Sequence, residues 1–177
     1  MEIFLLMLFP FMVWANKIDM KNIEGLDLRT MENKSIELNA KFNVFMFFSA
    51  SCPCSKSYFD YLNKLSEKYK DIQFFGFHSS KTLSTDVAKN YFSNFDVHFP
   101  VIQDKELKYA NIFEALKTPH VFVLDAKKNI VFHGGVADSR HMTSAKNFYL
   151  ENALNDISNG NQPRMAHAKA LGCYIAR

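Results

Sequence analysis

The sequence predicts an α/β domain in which helices flank both faces of a mixed central sheet. Three observations predict it. Residues 43–48 (NVFMFF) and 72–77 (IQFFGF) are short apolar runs without alternation, the pattern of strands buried on both faces. Segments with apolar residues at spacings of three and four lie between such runs, as amphipathic helices require. Residues 121–124 and 130–133 bracket a polar stretch, Ala126 to Asn129, and read as a closing hairpin. The order is hairpin, β, α, β, α, a short extended piece, α, β, β, α, which places parallel and antiparallel pairs in one sheet.

Each element follows from its residues. Leu26, Leu28, Ile36 and Leu38 alternate around Glu32-Asn33-Lys34, so the first hairpin is expected to turn at those polar residues. After the strand at 43–48, residues 49–54 (SASCPC) form a turn. Tyr58, Phe59, Leu62, Leu65 and Tyr69 mark one helix over 55–69. The strand at 72–77 is followed by a helix over 84–95 with Ser84 or Thr85 as N-cap, an extended piece at 99–102 and a helix over 105–116. A last helix is expected over 143–157. Residues 158–172 read as a tail with few anchoring features, ending on Cys173. The expected division is residues 1–15 as a signal peptide, 16–160 as the domain and 161–177 as a tail carrying Cys173.

Composition narrows the function. The chain has 177 residues, 48% of them hydrophobic, with 18 Phe, enough to fill a core and to exclude wholesale disorder. A net charge of +3 without a basic stripe argues against a nucleic-acid partner. Three cysteines are too few for a disulfide-scaffolded mini-protein. The apolar run at residues 3–15 is shorter than the roughly 20 residues a membrane span needs. It fits a signal peptide cleaved after Ala15, although Glu2 stands where a basic residue is usual. A periplasmic or secreted location is therefore expected, with membrane contact only during export, and there disulfides persist.

The chemistry concentrates at Cys52. Pro53 suits the first helical position, which makes Cys52 the N-cap. A sulfur there faces unpaired amides and the positive end of the helix, and both favour thiolate over thiol. Cys54, two residues on, could resolve an oxidised Cys52 through a small strained ring, or lie inert on the helix surface. Cys173 is the alternative resolving thiol, or else part of a disulfide that pins the tail.

Residues 48–55 (FSASCPCS) resemble the active-site turn of thioredoxin-like redoxins. Residues 32–38 (ENKSIEL) are similar to the lead-in hairpin of that superfamily, and residues 118–125 (TPHVFVLD) to its cis-proline segment. Residues 131–140 (VFHGGVADSR) and 168–175 (AKALGCYI) resemble the loop and tail of a narrower group, secreted peroxiredoxin-like proteins of the alkyl hydroperoxide reductase/thiol-specific antioxidant family. The likeness spans about residues 24–177. It implies a thioredoxin-like fold and a thiol-dependent oxidoreductase that needs no bound cofactor. Cys52 would be the nucleophile, Cys54 or Cys173 the resolving thiol, and Pro119 a cis-proline keeping the backbone beside Cys52 open for an extended partner strand. Ser49, Thr118 and His120 would contact substrate, with His120 stabilising the thiolate as an imidazolium. The implied partners are a thiol or disulfide protein or a peroxide, and an external thiol reductant.

The chain departs from both subtypes. Ser55 replaces the second cysteine of the thioredoxin Cys-x-x-Cys pair, and Met46 stands in place of the thioredoxin buried acid. Of the peroxiredoxin positions, Ser49 matches, whereas Phe45 and Thr118 replace the expected Pro and Arg. Disulfide and peroxide both stay open as oxidants. The rival readings are a copper or zinc site using Cys52, Cys54 and either His120 or His133, and a thioredoxin-like interaction domain without catalysis.

Overall fold

The computed structural model describes residues 17–177; the expected signal peptide lies outside them. The strands are β1 (Asn22–Asp27), β2 (Glu32–Glu37), β3 (Phe42–Phe48), β4 (Ile72–His78), β5 (Val101–Gln103), β6 (Lys117–Thr118), β7 (His120–Asp125), β8 (Ile130–Gly134) and β9 (Cys173–Tyr174). The helices are α1 (Pro53–Lys56), α2 (Phe59–Lys68), α3 (Thr85–Phe92), α4 (Lys108–Ile112) and α5 (Tyr149–Ser158). Seven strands form one sheet in the order β2-β1-β5-β4-β3-β7-β8, and β6 pairs with β9 in a second, two-stranded sheet. β3 is parallel to β4 and antiparallel to β7, so the mixed α/β architecture predicted from the apolar runs is the one observed.

The apolar runs became central strands because both their faces are covered. Val44, Met46 and Phe48 face one core with residues of α2, α3 and α5. Phe45 and Phe47 face the other, with Phe75, Phe77, Phe113 and Phe122. Phe45 is fully buried, its ring centroid 4.8 Å from Phe113, 5.6 Å from Phe75 and 6.0 Å from Phe77. Those spacings lie in the range where tilted and offset aromatic pairs add to simple burial.

Four elements differ from expectation for local reasons. The first hairpin turns at residues 28–31, ahead of Glu32-Asn33-Lys34, which lie inside β2. Leu28 leaves the hairpin to donate its amide to the Val101 carbonyl (2.8 Å), and Asp27 accepts from the Arg29 amide (3.1 Å). The helix expected over 55–69 is broken by a turn at Ser57 and Tyr58; the Ser57 hydroxyl donates back to the Cys54 carbonyl (2.9 Å), a contact that bends helices. The helix expected over 105–116 shrinks to α4, because Glu106 and Leu107 take positive φ angles of 54° and 58°. The buried Asp104 carboxylate then accepts from the amides of Tyr109 (2.8 Å) and Ala110 (2.9 Å) and caps α4. The last helix begins at Tyr149, since Asp138 holds the preceding loop through the Lys146 amide (2.8 Å) and Asn147 (2.7 Å).

The remaining difference is the tail. Residues 166–177 are pinned to the domain rather than loosely attached. The His133 amide donates to the Ala166 carbonyl and the Ala168 amide to the His133 carbonyl, both at 3.0 Å. Ile175, 5% exposed, enters the phenylalanine-rich core. Its amide reaches the Leu116 carbonyl (3.0 Å), and Arg177 donates to the Ala115 carbonyl (2.6 Å).

Phe45→Ala should cost about 3–5 kcal/mol of stability, read as a lower urea midpoint at unchanged slope. A loss well under that range would show that the ring cluster collapses readily onto the vacancy.

Candidate active site

The register of β3 against β7 brings the site together. Phe47 lies opposite His120, so the turn after β3 and the Thr118-Pro119 bond before β7 meet at one end of the sheet. The turn is built by serines. The Cys52 amide donates to the Ser49 carbonyl (3.0 Å), the Ser49 and Ser51 hydroxyls share a hydrogen bond (3.0 Å), and the Ser49 amide reaches the Ser55 hydroxyl (3.4 Å). Ser49 thus shapes the turn, with its hydroxyl engaged by Ser51.

Cys52 is the extended N-cap of α1 with Pro53 at the first helical position, but as a thiol its side chain makes no capping hydrogen bond. It points across the loop instead. As a thiol it donates to the Thr118 carbonyl (3.0 Å), and it lies 2.7 Å from the Cys173 sulfur. The Cys173 position follows from β6–β9 pairing, which sets Thr118 opposite Cys173 and Lys117 opposite Tyr174. Gly172 makes this approach feasible, since a Cβ there would stand 2.0 Å from the Thr118 carbonyl oxygen. Thr118-Pro119 is cis. The backbone expected to stay open beside Pro119 is therefore already paired, by this chain's own Cys173–Tyr174 strand.

The three sulfurs of Cys52, Cys54 and Cys173 lie within 4.8 Å of one another, and all three are free thiols. Cys52 and Cys54 are 1% and 6% exposed. Burial alone would raise the Cys52 pKa. Hydrogen bonds from the Cys173 thiol, the Thr118 hydroxyl and the amides of Cys173 and Ser55 overcome it and bring the value down to about 7. The Thr118 hydroxyl has no hydrogen-bond partner among the described residues while Cys52 is a thiol, which leaves its proton free for the thiolate. Burial, the hydrogen bond with Cys52 and its charge push Cys173 up to about 12. Burial and the Cys52 charge likewise raise Cys54. One negative charge is thus concentrated on Cys52 while the other two sulfurs keep their protons. The source differs from the expected helix dipole: α1 runs for only four residues, and the stabilising donors come mainly from the Thr118 and Cys173 strands.

His120 does not serve as an imidazolium. Its ring packs 4.4 Å from Phe122 and 6.2 Å from His133, and burial, with the neighbouring His133, His167 and Lys117, pushes its pKa down to about 4. It lines a cavity of about 990 Å³ together with His133, His167 and Lys117. The metal set of Cys52 and Cys54 with His120 or His133 is likewise not assembled; among the described residues the third member of the thiol group is Cys173. Sequence reasoning missed Gly172 and the 3.1 Å contact between His133 and His167. A glycine immediately before a cysteine was the available signal for the first; no local pattern marks the second.

Residues 24–176 match the family described as "Domain of unknown function (DUF6436)". The chain belongs to that family. No curated protein matches the sequence. Among solved structures it resembles a hypothetical protein from Sinorhizobium meliloti, with a TM-score of 0.77 at 17% identity over 91% of this chain and 92% of the other. An uncharacterized conserved protein from Geobacillus kaustophilus gives 0.75 at 20% identity over 89% and 90%. A secreted Mycobacterium tuberculosis disulfide oxidoreductase homologous to E. coli DsbE gives 0.52 at 14% identity over 61% and 79%. The fold is thioredoxin-like.

Two measurements check the electrostatics. Alkylation of Cys52 by iodoacetamide should follow a titration centred near pH 7, and Cys173→Ala should move that midpoint upward by removing the largest stabilising donor. An unchanged midpoint would reject Cys173 as the source. His78 and His120 are both buried with pKa values of about 4, so the unfolded chain binds more protons between about pH 4 and 6.5. Stability should be full above about pH 6.5 and fall as pH drops toward 4, by up to about 3 kcal/mol for each histidine. A thermal midpoint that stays flat over that window would contradict the burial of these rings.

Proposed function

We propose that the protein is a thiol oxidoreductase in which Cys52 is the attacking sulfur and Cys173 the resolving one. The observation that carries this reading is the 2.7 Å separation of their sulfurs, inside van der Waals contact and approaching a disulfide bond of about 2.05 Å. The Cys52 thiolate attacks one sulfur of an external disulfide, forming a mixed disulfide and expelling a thiolate. With a hydroperoxide it takes one oxygen instead, giving a sulfenic acid and an alcohol or water. Cys173 then attacks the Cys52 sulfur and releases the second thiolate, or water. Its proton leaves with that group. Burial does most to hold Cys173 protonated, and discharge of Cys52 in the first step removes the hydrogen bond and charge that add to it, so the reaction of the first thiol eases ionisation of the second. An external thiol reductant returns the two electrons.

Three further points support the reading. The tail is anchored by backbone hydrogen bonds and by Ile175, so it needs no disulfide to pin it. The apolar run at residues 3–15 favours export as a periplasmic or secreted protein, and the word "secreted" in the name of the Mycobacterium tuberculosis neighbour accords with it. Pairing of Cys173–Tyr174 with Thr118 favours a small oxidant as first reactant, because an added polypeptide strand must displace the tail before it can pair there. Cys54 remains a third thiol within reach and the alternative resolving group.

The test is to oxidise the reduced protein with hydrogen peroxide or with cystamine and to map the product by mass spectrometry. The expected product links Cys52 to Cys173 and leaves Cys54 alkylatable. Cys52→Ser should abolish the reaction. Gly172→Ala, which keeps all three cysteines but forces the tail off Thr118, should slow disulfide formation at least tenfold, about 1.4 kcal/mol of activation free energy. A Cys52–Cys54 product, or a Cys52 that both oxidants leave reduced, would overturn the assignment of Cys173.

A further inference from the structure

We propose that the reduced protein also binds one Cu(I) ion through Cys52, Cys54 and Cys173. The three sulfurs lie within 4.8 Å of one another, two of them on buried residues, and they are the sole such group among the described residues. Thiolate is the softest donor a protein offers and selects soft cations. An ion equidistant from three sulfurs at about 2.3 Å needs them about 4 Å apart, which fits inside the observed cluster once Cys52 and Cys173 separate from 2.7 Å.

The donor set argues for copper over zinc. Structural Zn(II) takes four protein ligands. Here no histidine joins the three sulfurs among the described residues, and the His120 ring is packed against Phe122. Three thiolates satisfy a monovalent d10 ion, which has no demand for a fourth ligand. Binding forms three Cu–S bonds and breaks the S–H bonds of Cys54, Cys173 and whatever fraction of Cys52 is still protonated; those protons pass to solvent, and no electron is transferred. A disulfide between Cys52 and Cys173 removes two of the three donors, so the site exists in the reduced protein alone.

The inference stands apart from the oxidoreductase reading, because it draws on Cys54 and is read without an oxidant. Anaerobic titration of the reduced full chain with Cu(I), against bathocuproine disulfonate as competing chelator, should show one ion bound per chain. Cys54→Ser, Cys52→Ser and Cys173→Ser should each weaken binding by more than the roughly 10–100-fold that loss of an outer-shell ligand partner costs, with folding checked by circular dichroism. His120→Asn should leave the affinity unchanged. Failure to compete with the chelator would overturn the proposal. So would stoichiometric binding that survives Cys54→Ser, or a Zn(II) affinity equal to that for Cu(I). None of these outcomes bears on disulfide mapping, which decides the oxidoreductase reading by itself.

Discussion

The arrangement depends on one short antiparallel pairing, Cys173–Tyr174 against Lys117–Thr118. Two residues of ladder are little by the standards of sheet structure. They hold because Ile175 is buried in the phenylalanine-rich core and the chain on the other side is tied to β8 at His133. This pairing places a second sulfur against Cys52, supplies the donors that ionise it, and covers the backbone that an incoming strand would otherwise use. Remove it, and the residues around Cys52 are a serine-built turn with a buried thiol.

The electrostatics of the site follow from that contact. Cys52 sits at a helix start, but the helix bends after a single turn, where Ser57 bonds back to Cys54, and a turn that short carries a small dipole. The work of stabilising charge falls to hydrogen bonds from the Cys173 thiol, the Thr118 hydroxyl and two amides, inside a cluster of three thiols. Such a cluster can hold only one negative charge cheaply. Protons kept by Cys54 and Cys173 are therefore the counterpart of the one lost by Cys52.

Much of the fold was legible in the sequence, because unbroken apolar runs such as residues 43–48 and 72–77 admit few readings other than buried strands. Cys52-Pro53 marked the helix start, and the cis bond before Pro119 was implied by resemblance and is present. What escaped notice is non-local. The hairpin turn shifted because Leu28 bonds to β5, a partner remote in sequence. The helix over 105–116 failed at Glu106 and Leu107, whose positive φ angles no propensity anticipates. The tail looked unanchored because its anchors, Leu116, His133 and the phenylalanine cluster, lie far away along the chain. The neutral state of His120 escaped for a related reason: its packing against Phe122 and beside His133 and His167 is not visible along the chain.

The two sulfurs in contact are separated by 121 positions along the polypeptide. On a ribosome, Cys52 and Cys54 emerge long before Cys173 exists, and the nascent segment carries a cysteine pair without its partner or the donors that ionise it. In the proposed function, the pairing of Cys52 with Cys173 therefore has to wait until residues 173–175 have been made and have docked.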